Sequence, residues 1–495
     1  MKARSDWEQM ANSLSLRTQA FVDGQYVSAA SEQTFHSINP ATGKVLADIA
    51  SCTDVDVDRA VKAARVAFEK GVWSRMSASE RGRRLIKFAD LIEANLEELA
   101  LLETLDAGKP ISDSLSVDIP LSASAIRWYG QAIDKIYDEI APTNRNAIAM
   151  IRREPVGVVS AVVPWNFPLL MAAWKIGPVL AAGNSMILKP AEQSPLTALR
   201  IAELAAEADI PPGVFNVLPG FGETAGQALG RHPDVDAVTF TGSTEVGKLF
   251  LKYAAESNMK RVSLECGGKS PNIVFSDAPD LQQAATTAAW GIFYNQGEVC
   301  NAGSRLLVQR EIKEEFVNKV LDVARSIKVG DTLDPSTQMG PIVDERQMSR
   351  VLGFIEQGKS EGAKLRMGGV KKGDVGYFVE PTVFDEVDNS MAIAQEEIFG
   401  PVLSVIEFGS ADEAVKIAND TPYGLAAALW SSDINRVHQV ADALRAGVVW
   451  VNCFDKGEMS TPFGGVKQSG FGRDKSLHAL DKYTDLKTTW IHVDR

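Results

Sequence analysis

From residue 168 onward, the sequence alternates between short apolar segments typical of buried strands and longer segments with helical periodicity. The strand-like segments in the first half of this region are "SMILKP", "VFNVLPG", "AVTFTG" and "RVSLECGG". The helical segments between them lie near residues 194–208, 222–230 and 244–257. Parallel strands need a crossover between them, so the alternation predicts a parallel sheet with helices on both faces. A second α/β run follows, with strands near residues 271–275, 304–309 and 402–407.

The first 162 residues have a different character. "QAFVDGQYV" alternates polar and apolar residues around a glycine and predicts a hairpin, and residues 54–70 and 78–105 are predicted helices with Asp54 and Ser79 as caps. The β-branched stretch near 140–162 is broken at Pro155 and Gly157. Together with the C-terminal "TTWIHVDR", it resembles strands without a partner in either α/β unit. Such strands are predicted to pair with another chain.

Length and charge narrow the class of protein. A chain of 495 residues predicts two or three domains, and its formal charge of −13 argues against nucleic acid or an anionic membrane as a partner. No segment approaches the roughly 18 uninterrupted apolar residues of a membrane span. The N-terminal segment lacks the apolar stretch of a secretory signal and predicts an exposed helix. We therefore expect a cytoplasmic protein.

The cysteines and histidines do not form a metal-binding pattern. Reduced thiols are expected, because the four cysteines are scattered, and no two of the five histidines have a metal-ligand spacing. The cysteines are Cys52, Cys266, Cys300 and Cys453, and the histidines are His36, His232, His438, His478 and His492. The sequence predicts no metal site.

Sheets of this class bind ligands beyond the carboxyl ends of their strands. In "NVLPGFGETAG", Gly220, Gly222 and Gly226 approximate a dinucleotide fingerprint with one residue too many, so they either contact phosphate or form tight turns. Ser243, in "FTGSTEVG", opens a helix and is either a pyrophosphate ligand or an ordinary N-cap. The residues alone leave both alternatives open.

Two reactive side chains follow. Glu265 ends the strand in "LECGGKSP" and is either a surface charge or a general base. Cys300, in "NQGEVCNAGSR", has small and polar neighbours and no histidine nearby, and taken alone it is interpreted as a small buried hydrophobe.

Eight segments overturn that interpretation. They are "VVPWNFP", "GNSMILKPAE", "FTGSTEVG", "LECGGKSP", "NQGEVCNAGSR", "EEIFGPV", "NDTPYGLAA" and "PFGGVKQSG". These segments have the order and spacing of the signature segments in NAD(P)-dependent aldehyde dehydrogenases. The sequence from about residue 20 to its end therefore resembles that family. The resemblance implies an α/β aldehyde dehydrogenase fold with a Rossmann-like NAD-binding domain (1–139 and 159–266), an α/β catalytic domain (267–476) and a small β oligomerisation arm with tail (140–158 and 477–495).

The resemblance also implies roles for individual residues. Cys300 is the nucleophile, Glu265 is the general base, and Asn166 contributes to the oxyanion hole. NAD is the expected cofactor, with NADP as the weaker one. The implied cofactor-binding residues are Val163, Pro164, Trp165, Asn166, Lys189, Glu192, Gly222, Gly226, Phe240, Gly242, Ser243, Val246, Glu265, Glu397 and Phe399.

Within the family, the sequence is most similar to bacterial enzymes that oxidise 4-(γ-glutamylamino)butanal or 4-guanidinobutanal. Stretches such as "AIRWYGQAIDKIYDEIAPT" and "GFGRDKSLHALDKYTDLKTTWI" carry this similarity. The implied substrate residues are Asp118, Phe167, Met171, Trp174, Val299, Asn301, Asp455 and Phe463. Asp118, Asp455 and Glu458 either face an amino or guanidinium group or form a solvated rim. Plain aliphatic or aromatic aldehydes are the alternative substrate class.

Three alternative functions fit the sequence less well. A thiol hydrolase or esterase would leave the nucleotide segments and Glu397 without a purpose. A catalytically silent structural relative would not need Cys300, Asn166 and Glu265 together. A dehydrogenase that transfers its acyl group to coenzyme A would not need Glu265 to activate water. The sequence therefore predicts hydrolytic aldehyde oxidation by a homodimer or homotetramer, with a small-molecule aldehyde as partner.

Overall fold

The largest element of the computed structural model, which describes residues 2–494, is an eight-stranded sheet. Its strands, from edge to edge, are Gly470–Phe471, Arg261–Glu265, Ala237–Thr241, Val158–Val162, Ser185–Lys189, Phe215–Val217, Ala20–Val22 and Gln25–Val27. The second to sixth of these strands run parallel. The predicted hairpin forms one antiparallel edge, and Gly470–Phe471 forms the other. The parallel sheet predicted from the alternation is thereby confirmed.

A second sheet has seven strands. In order they are Lys364–Met367, Thr382–Asp385, Val402–Phe408, Arg305–Gln309, Pro271–Val274, Ala426–Trp430 and Val448–Val451. All neighbours are parallel except the first pair. The central strands are buried except at Gln309, the last residue of one of them, as expected for apolar strands covered by helices on both faces.

Helices cover both sheets. The α-helices within residues 2–494 are Arg4–Ser13, Asp54–Lys70, Ala78–Ala94, Leu96–Ala107, Ile111–Asp113, Ile119–Ala132, Pro168–Ala181, Leu196–Glu207, Gln227–Arg231, Thr244–Ala255, Leu281–Phe293, Lys313–Ser326, Glu345–Ser360, Ala392–Gln395, Ala411–Asn419 and Ile434–Ala443. In the described part of the chain, none of them is both long and apolar enough to cross a membrane.

Two predicted helix starts were wrong by one or two residues. Thr53, in extended conformation, is the N-cap of the first long helix, and Asp54 is already helical. The Ser77 hydroxyl, not that of Ser79, accepts a hydrogen bond from the backbone N–H of Glu80 at 3.3 Å. An N-cap needs a non-helical backbone, which neither predicted residue has. The predicted helix 78–105 is in fact two helices that meet at Asn95.

The predicted oligomerisation arm is a three-stranded antiparallel sheet made of Glu139–Ala141, Ala147–Pro155 and Thr484–His492. The C-terminal strand, predicted to have no partner in either α/β unit, pairs over nine residues with Ala147–Pro155 of the same chain. Val158–Val162, from the other segment in that prediction, is instead a strand of the first sheet, so the prediction was wrong for it. A separate two-stranded sheet joins Thr34–Asn39 to Lys44–Ala50. The domain boundaries stay predictions, and their outermost positions, Met1 and Arg495, lie outside the described residues.

Candidate active site

The candidate site lies where the carboxyl edge of the first sheet meets the amino-terminal ends of two strands in the second sheet. In the first sheet, the chain passes through Val158–Val162, adds strands on one side, and then crosses to Ala237–Thr241 on the other side. Such a reversal leaves a crevice beyond the carboxyl ends of the strands. In the second sheet, Cys300 and Glu397 each precede one of two paired strands, Arg305–Gln309 and Val402–Phe408. The structure brings these loops to the end of the strand that carries Glu265.

The Cys300 loop is fixed by close backbone packing. A Cβ at Gly268 would lie 2.7 Å from the carbonyl oxygen of Cys300, and a Cβ at Gly297 would lie 2.2 Å from the carbonyl oxygen of Gly400. Both positions therefore need glycine. Burial raises the pKa of the Cys300 thiol well above its usual value, and the Glu397 carboxylate acts in the same direction. The thiol is therefore neutral in the chain without ligands.

Asn166 lies on the loop that follows Val158–Val162, close to Cys300. Its side-chain nitrogen donates a hydrogen bond to the backbone carbonyl of Glu298 at 2.7 Å. The backbone carbonyl of Asn166 accepts a hydrogen bond from the side-chain amide of Asn295 at 3.0 Å. Asn295 and Gln296 have positive φ angles of 47° and 58°, which shape this turn. The Asn166 amide is thus oriented by one of its two N–H groups, and the other remains for a ligand.

Glu265 is buried at the end of its strand, and neither carboxylate oxygen has a hydrogen-bond partner among the described residues. Burial, reinforced by the negative charge of Asp474, raises its pKa to about 8. A Cβ at Gly464 would lie 2.8 Å from Glu265 Oε1, so glycine there leaves room for the carboxylate. A buried carboxyl with a pKa near neutrality is suited to accept a proton.

A buried charge cluster behind Glu265 was missed by sequence reasoning. Lys175 and Lys482 both bind the carboxylate of Asp474, the second through Oδ1 at 2.5 Å. Burial acts to raise the pKa of Asp474, but the two lysines hold it below its usual value. One feature of the sequence pointed to this cluster, because Lys175 is a lone charge in the apolar helix Pro168–Ala181.

A cleft of about 250 Å³ leads from the first sheet to Cys300. Eight of the predicted cofactor-binding residues line it, and the residues that sequence reasoning missed include Gln347 and Arg350. The predicted residues in the cleft are Pro164, Trp165, Asn166, Gly242, Ser243, Glu265, Glu397 and Phe399. The structure therefore assembles residues from six separate segments around one cavity.

Glu397 is held at the floor of this cleft. Its Oε1 accepts a hydrogen bond from the backbone N–H of Gly268 at 3.1 Å, and burial raises its pKa to about 7. The neighbouring Phe399 has a φ of 58° and packs edge-on against Trp165 with 5.1 Å between ring centroids. Gln347 donates hydrogen bonds to the carbonyls of Ile398 and Phe399 at 3.0 and 2.8 Å. These contacts hold a strained turn in place.

Lys189 and Glu192, two of the predicted cofactor-binding residues, form an ion pair with 3.2 Å between Nζ and Oε2. Lys189 is almost fully buried, and burial lowers the pKa of its ammonium. Ser243 caps the helix Thr244–Ala255, because its hydroxyl accepts from the N–H of Val246 at 3.2 Å. The structure thus gives Ser243 the N-cap role, and the same residue lines the cleft.

Like Lys189 and Glu192, five other predicted cofactor residues do not line the cleft around Cys300. The side chains of Val163 and Phe240 belong to hydrophobic core clusters. Gly222 and Gly226 lie in a helical turn, Gly222–Gly226, with nothing closer than 4.0 Å to an added Cβ, so no close approach demands glycine. Val246 is partly exposed on its helix. Because the side chains of Val163 and Phe240 are in the core, only their backbones are left for a ligand, and their part in cofactor binding stays a prediction.

A second cavity of about 200 Å³ also has Cys300 in its lining. All predicted substrate residues except Asp118 line it, namely Phe167, Met171, Trp174, Val299, Asn301, Asp455 and Phe463. Trp174 and Phe463 pack with 5.4 Å between ring centroids. Sequence reasoning missed other lining residues, among them Leu121, Tyr294, Trp450 and Lys475.

Asp118, predicted to face a cationic group of the substrate or to form a solvated rim, does not line the cavity. Asp118 is fully buried and forms an ion pair with Lys109, whose ammonium lies 3.6 Å from the ring centroid of Phe167. A buried carboxylate needs such a partner, which removes it from the cavity surface. Asp455 does reach the cavity, where its Oδ1 accepts a hydrogen bond from Asn301 at 2.7 Å. Glu458 is exposed but does not line this cavity.

Within residues 2–494, no group of three or more His, Cys, Asp or Glu side chains is arranged to hold a metal ion. The four cysteines are all free thiols.

Comparison with known proteins agrees with this geometry. The model of the aldehyde dehydrogenase family matches residues 26–489. The NADP/NAD-dependent aldehyde dehydrogenase PuuC of Escherichia coli (strain K12) is 54% identical over 488 residues, which cover 99% of this chain and 98% of that protein.

Two solved structures are similar over their whole length, with 100% of both chains covered. The indole-3-acetaldehyde dehydrogenase AldA of P. syringae, a mutant in complex with NAD+ and IAA, has a TM-score of 0.99 and 59% identity. The γ-glutamyl-γ-aminobutyraldehyde dehydrogenase of Burkholderia cenocepacia J2315 has a TM-score of 0.98 and 56% identity. The resemblance and the fold predicted from the sequence are confirmed. The chain belongs to the aldehyde dehydrogenase family and is an enzyme that oxidises aldehydes.

Proposed function

We propose that this enzyme oxidises an aldehyde to the carboxylic acid with NAD, through a thioester on Cys300. The observation that carries the proposal is the meeting of two cavities at one thiol. Cys300 and Met171 line both the cleft of the first sheet and the cavity walled by Trp174 and Phe463. A thiol between two ligand cavities is placed to bond with a substrate from one side while a second ligand approaches from the other.

The first half of the reaction is addition of Cys300 to the aldehyde. The thiol gives its proton to solvent, and its sulfur bonds to the carbonyl carbon, whose oxygen takes the negative charge. Because Asn166 is oriented by its bond to Glu298, its free N–H is available to that oxygen. One such donor stabilises the transition state by roughly 3 kcal/mol. Burial keeps the resting thiol protonated, so its activation is expected to follow ligand binding.

The residues of the first cleft fit a dinucleotide. The unpartnered oxygens of Glu265 and Thr241 and the carboxylate of Glu397 are polar groups at one cavity, and the cap residue Ser243 opens a helix beside them. Ser243 would hold the pyrophosphate, Glu397 the nicotinamide ribose, and Lys189 with Glu192 the adenosine ribose. When bound, oxidised nicotinamide supplies the hydride acceptor. AldA of P. syringae in complex with NAD+ supports this assignment.

Glu265 completes the reaction by hydrolysis. A thioester needs a water nucleophile, and the unpartnered carboxylate of Glu265 accepts the proton of that water. The bond from carbon to sulfur then breaks, the acid leaves, and the Cys300 thiol is restored. The lysines around Asp474 lower the pKa of Glu265 by their positive charge, so they counteract part of the effect of burial.

For the substrate we propose a butanal that carries an amino, γ-glutamylamino or guanidino group at its far end. The B. cenocepacia structure, a γ-glutamyl-γ-aminobutyraldehyde dehydrogenase, supports this class. The Trp174 and Phe463 walls suit a methylene chain, and Asp455 offers a carboxylate to a cation. The second candidate class, plain aliphatic or aromatic aldehydes, is favoured by the same aromatic walls and by the relative that acts on indole-3-acetaldehyde.

The decisive experiment compares kcat/KM, from NADH absorbance at 340 nm, over 4-(γ-glutamylamino)butanal, 4-guanidinobutanal, 4-aminobutanal, indole-3-acetaldehyde and hexanal. We expect the butanals with a polar end group to be the best substrates. A preference for hexanal or indole-3-acetaldehyde over all three would reject the proposed class.

Glu192→Gln is expected to weaken the preference for NAD over NADP. A 2′-phosphate within about 4 Å of the Glu192 carboxylate would cost on the order of 1 to 4 kcal/mol at effective dielectric constants of 80 to 20. The same carboxylate neutralises Lys189, which would otherwise attract the phosphate. The ratio of kcat/KM values for NADP and NAD should therefore rise by about tenfold or more, mainly through KM for NADP.

Glu315→Gln, which removes an equal charge from an exposed and distant helix, serves as the control for that measurement. An unchanged cofactor ratio in Glu192→Gln, or a wild-type enzyme that already prefers NADP, would contradict the assigned ribose site.

We also propose that the enzyme is a homodimer or homotetramer joined through the three-stranded sheet. The strand Thr484–His492 has a free edge, and Ile140, Leu486 and Trp490 expose most of their side chains at 74%, 65% and 62%. Exposed edges and apolar side chains of this kind favour pairing. Light scattering at micromolar concentration should give at least twice the 53.5 kDa of one chain. A monomer mass would contradict this proposal.

A further inference from the structure

Lys475 is a cation in the substrate cavity that the proposed chemistry does not use. Its ammonium lies 5.6 Å from the ring centroid of Trp174, and its side chain is half-buried. Among the described residues, it forms no ion pair or hydrogen bond, and burial lowers its pKa. The Lys475 ammonium therefore lines the cavity without a bonded partner, near the negative charges of Asp455 and Glu458, and it is available to an anionic group on a ligand.

The backbone at Lys475 has an energetically unfavourable conformation. Lys475 and Ser476 have φ angles of 60° and 50°, a conformation that L residues rarely adopt. Flanking hydrogen bonds hold them there, because the N–H of Asp474 donates to the Phe463 carbonyl and that of Ser476 to the Met459 carbonyl, each at 2.7 Å. Strain that is held in place from both sides is characteristic of functional positions.

Asp455 lines the same cavity with the opposite charge. Its Oδ1 accepts from Asn301, while its second carboxylate oxygen is not used by that bond. The Asp455 side chain keeps solvent-exposed surface, although partial burial by neighbouring groups raises the pKa of its carboxyl. The negative charge of Asp455 acts to raise the pKa of Lys475, so the two groups are close enough to interact. They do not form a direct ion pair.

From this pair we infer that the cavity recognises a zwitterionic end group on its aldehyde, with Lys475 binding the carboxylate and Asp455 binding the ammonium. Lys475 is thus a specificity-determining residue, and the ligand class is an ω-aldehyde that carries an α-amino acid group. The walls formed by Trp174 and Phe463 accommodate the apolar chain, and Cys300 receives the aldehyde in the same cavity. This inference rests on the proposed function, whose γ-glutamylated substrate has such an end group.

The test uses three aldehydes and two variants of the full-length enzyme. The parent is 4-(γ-glutamylamino)butanal, one analogue lacks the α-amino group, and the other has its α-carboxylate converted to an amide. Lys475→Gln should lower kcat/KM about ten- to a hundredfold for the two aldehydes that keep the carboxylate, mainly through KM, but not for the amide. Asp455→Asn, which keeps a hydrogen-bond acceptor for Asn301, should lower kcat/KM for the two aldehydes that keep the ammonium group.

Two further variants make the result interpretable. Lys475→Arg keeps the positive charge and should retain the parent kcat/KM within about threefold, whereas Lys62→Gln removes a charge from an exposed helix far from the cavity and should behave as wild type. Equal losses on all three aldehydes in Lys475→Gln would overturn the inference, because they would indicate a structural role. A wild-type enzyme that oxidises none of the three would instead overturn the proposed substrate class.

Discussion

Replacement of Cys300 by alanine is expected to lower NADH production below about a thousandth of the wild-type rate. Cys300 is the thiol at which both cavities meet, and the other three cysteines do not line both. Without a covalent intermediate, the aldehyde has no nucleophile from the protein, and the loss corresponds to more than about 4 kcal/mol of transition-state stabilisation.

Cofactor binding should survive that substitution. The cleft residues Ser243, Glu397 and Phe399 belong to other segments, so the Kd for NAD from isothermal titration should change less than about threefold. Cys453→Ala, at a thiol outside the cleft, is the matched control and should keep wild-type turnover. Substantial NADH production by Cys300→Ala would show that the nucleophile is a different group.

The second large effect is expected from Glu265→Gln, which should separate the two halves of the reaction. The first half needs no base for water, so rapid mixing with NAD and aldehyde should give a burst of NADH close to one equivalent per active site. Steady turnover should then fall by about a hundred- to ten-thousandfold, the range for a lost general base. Loss of the burst itself would mean that Glu265 acts on the thiol.

The same carboxylate predicts a pH dependence. Burial raises the pKa of Glu265 to about 8, so the base is mostly protonated below that pH and becomes active above it. If hydrolysis limits turnover, kcat should rise with pH through about 8 and level off beyond, and the rise should be absent in Glu265→Gln. A wild-type kcat that is flat between pH 6.5 and 9 would contradict this role of Glu265.

The positions of residues that follow from the local pattern of strands and helices could be predicted from the sequence. Apolar strands with helices between them predict a parallel sheet, and its carboxyl edge predicts where Asn166, Ser243 and Glu265 come together. The resemblance added Cys300 and Glu397, whose loops come from the second sheet and which no periodicity in the sequence connects to the first.

Residues that depend on distant packing could not be predicted. Lys175 forms an ion pair with Asp474, which is 299 positions away in the sequence. Gln347, on the helix Glu345–Ser360, donates a hydrogen bond to the Phe399 carbonyl. Asp118 was misplaced for the opposite reason, since its partner Lys109 is only nine positions away but nothing in that stretch indicates that both are buried. Pairing of buried charges is decided by tertiary structure.

The central claim, a thioester on Cys300 that Glu265 hydrolyses, can be tested by mass spectrometry. The Glu265→Gln enzyme would be mixed with NAD and 4-(γ-glutamylamino)butanal, quenched in acid during the burst, digested, and its peptides weighed. The account predicts that the peptide containing Cys300 gains the mass of the acyl group and loses it on treatment with hydroxylamine, which cleaves thioesters. An NADH burst with an unmodified Cys300 peptide, or an acyl group on another residue, would contradict it.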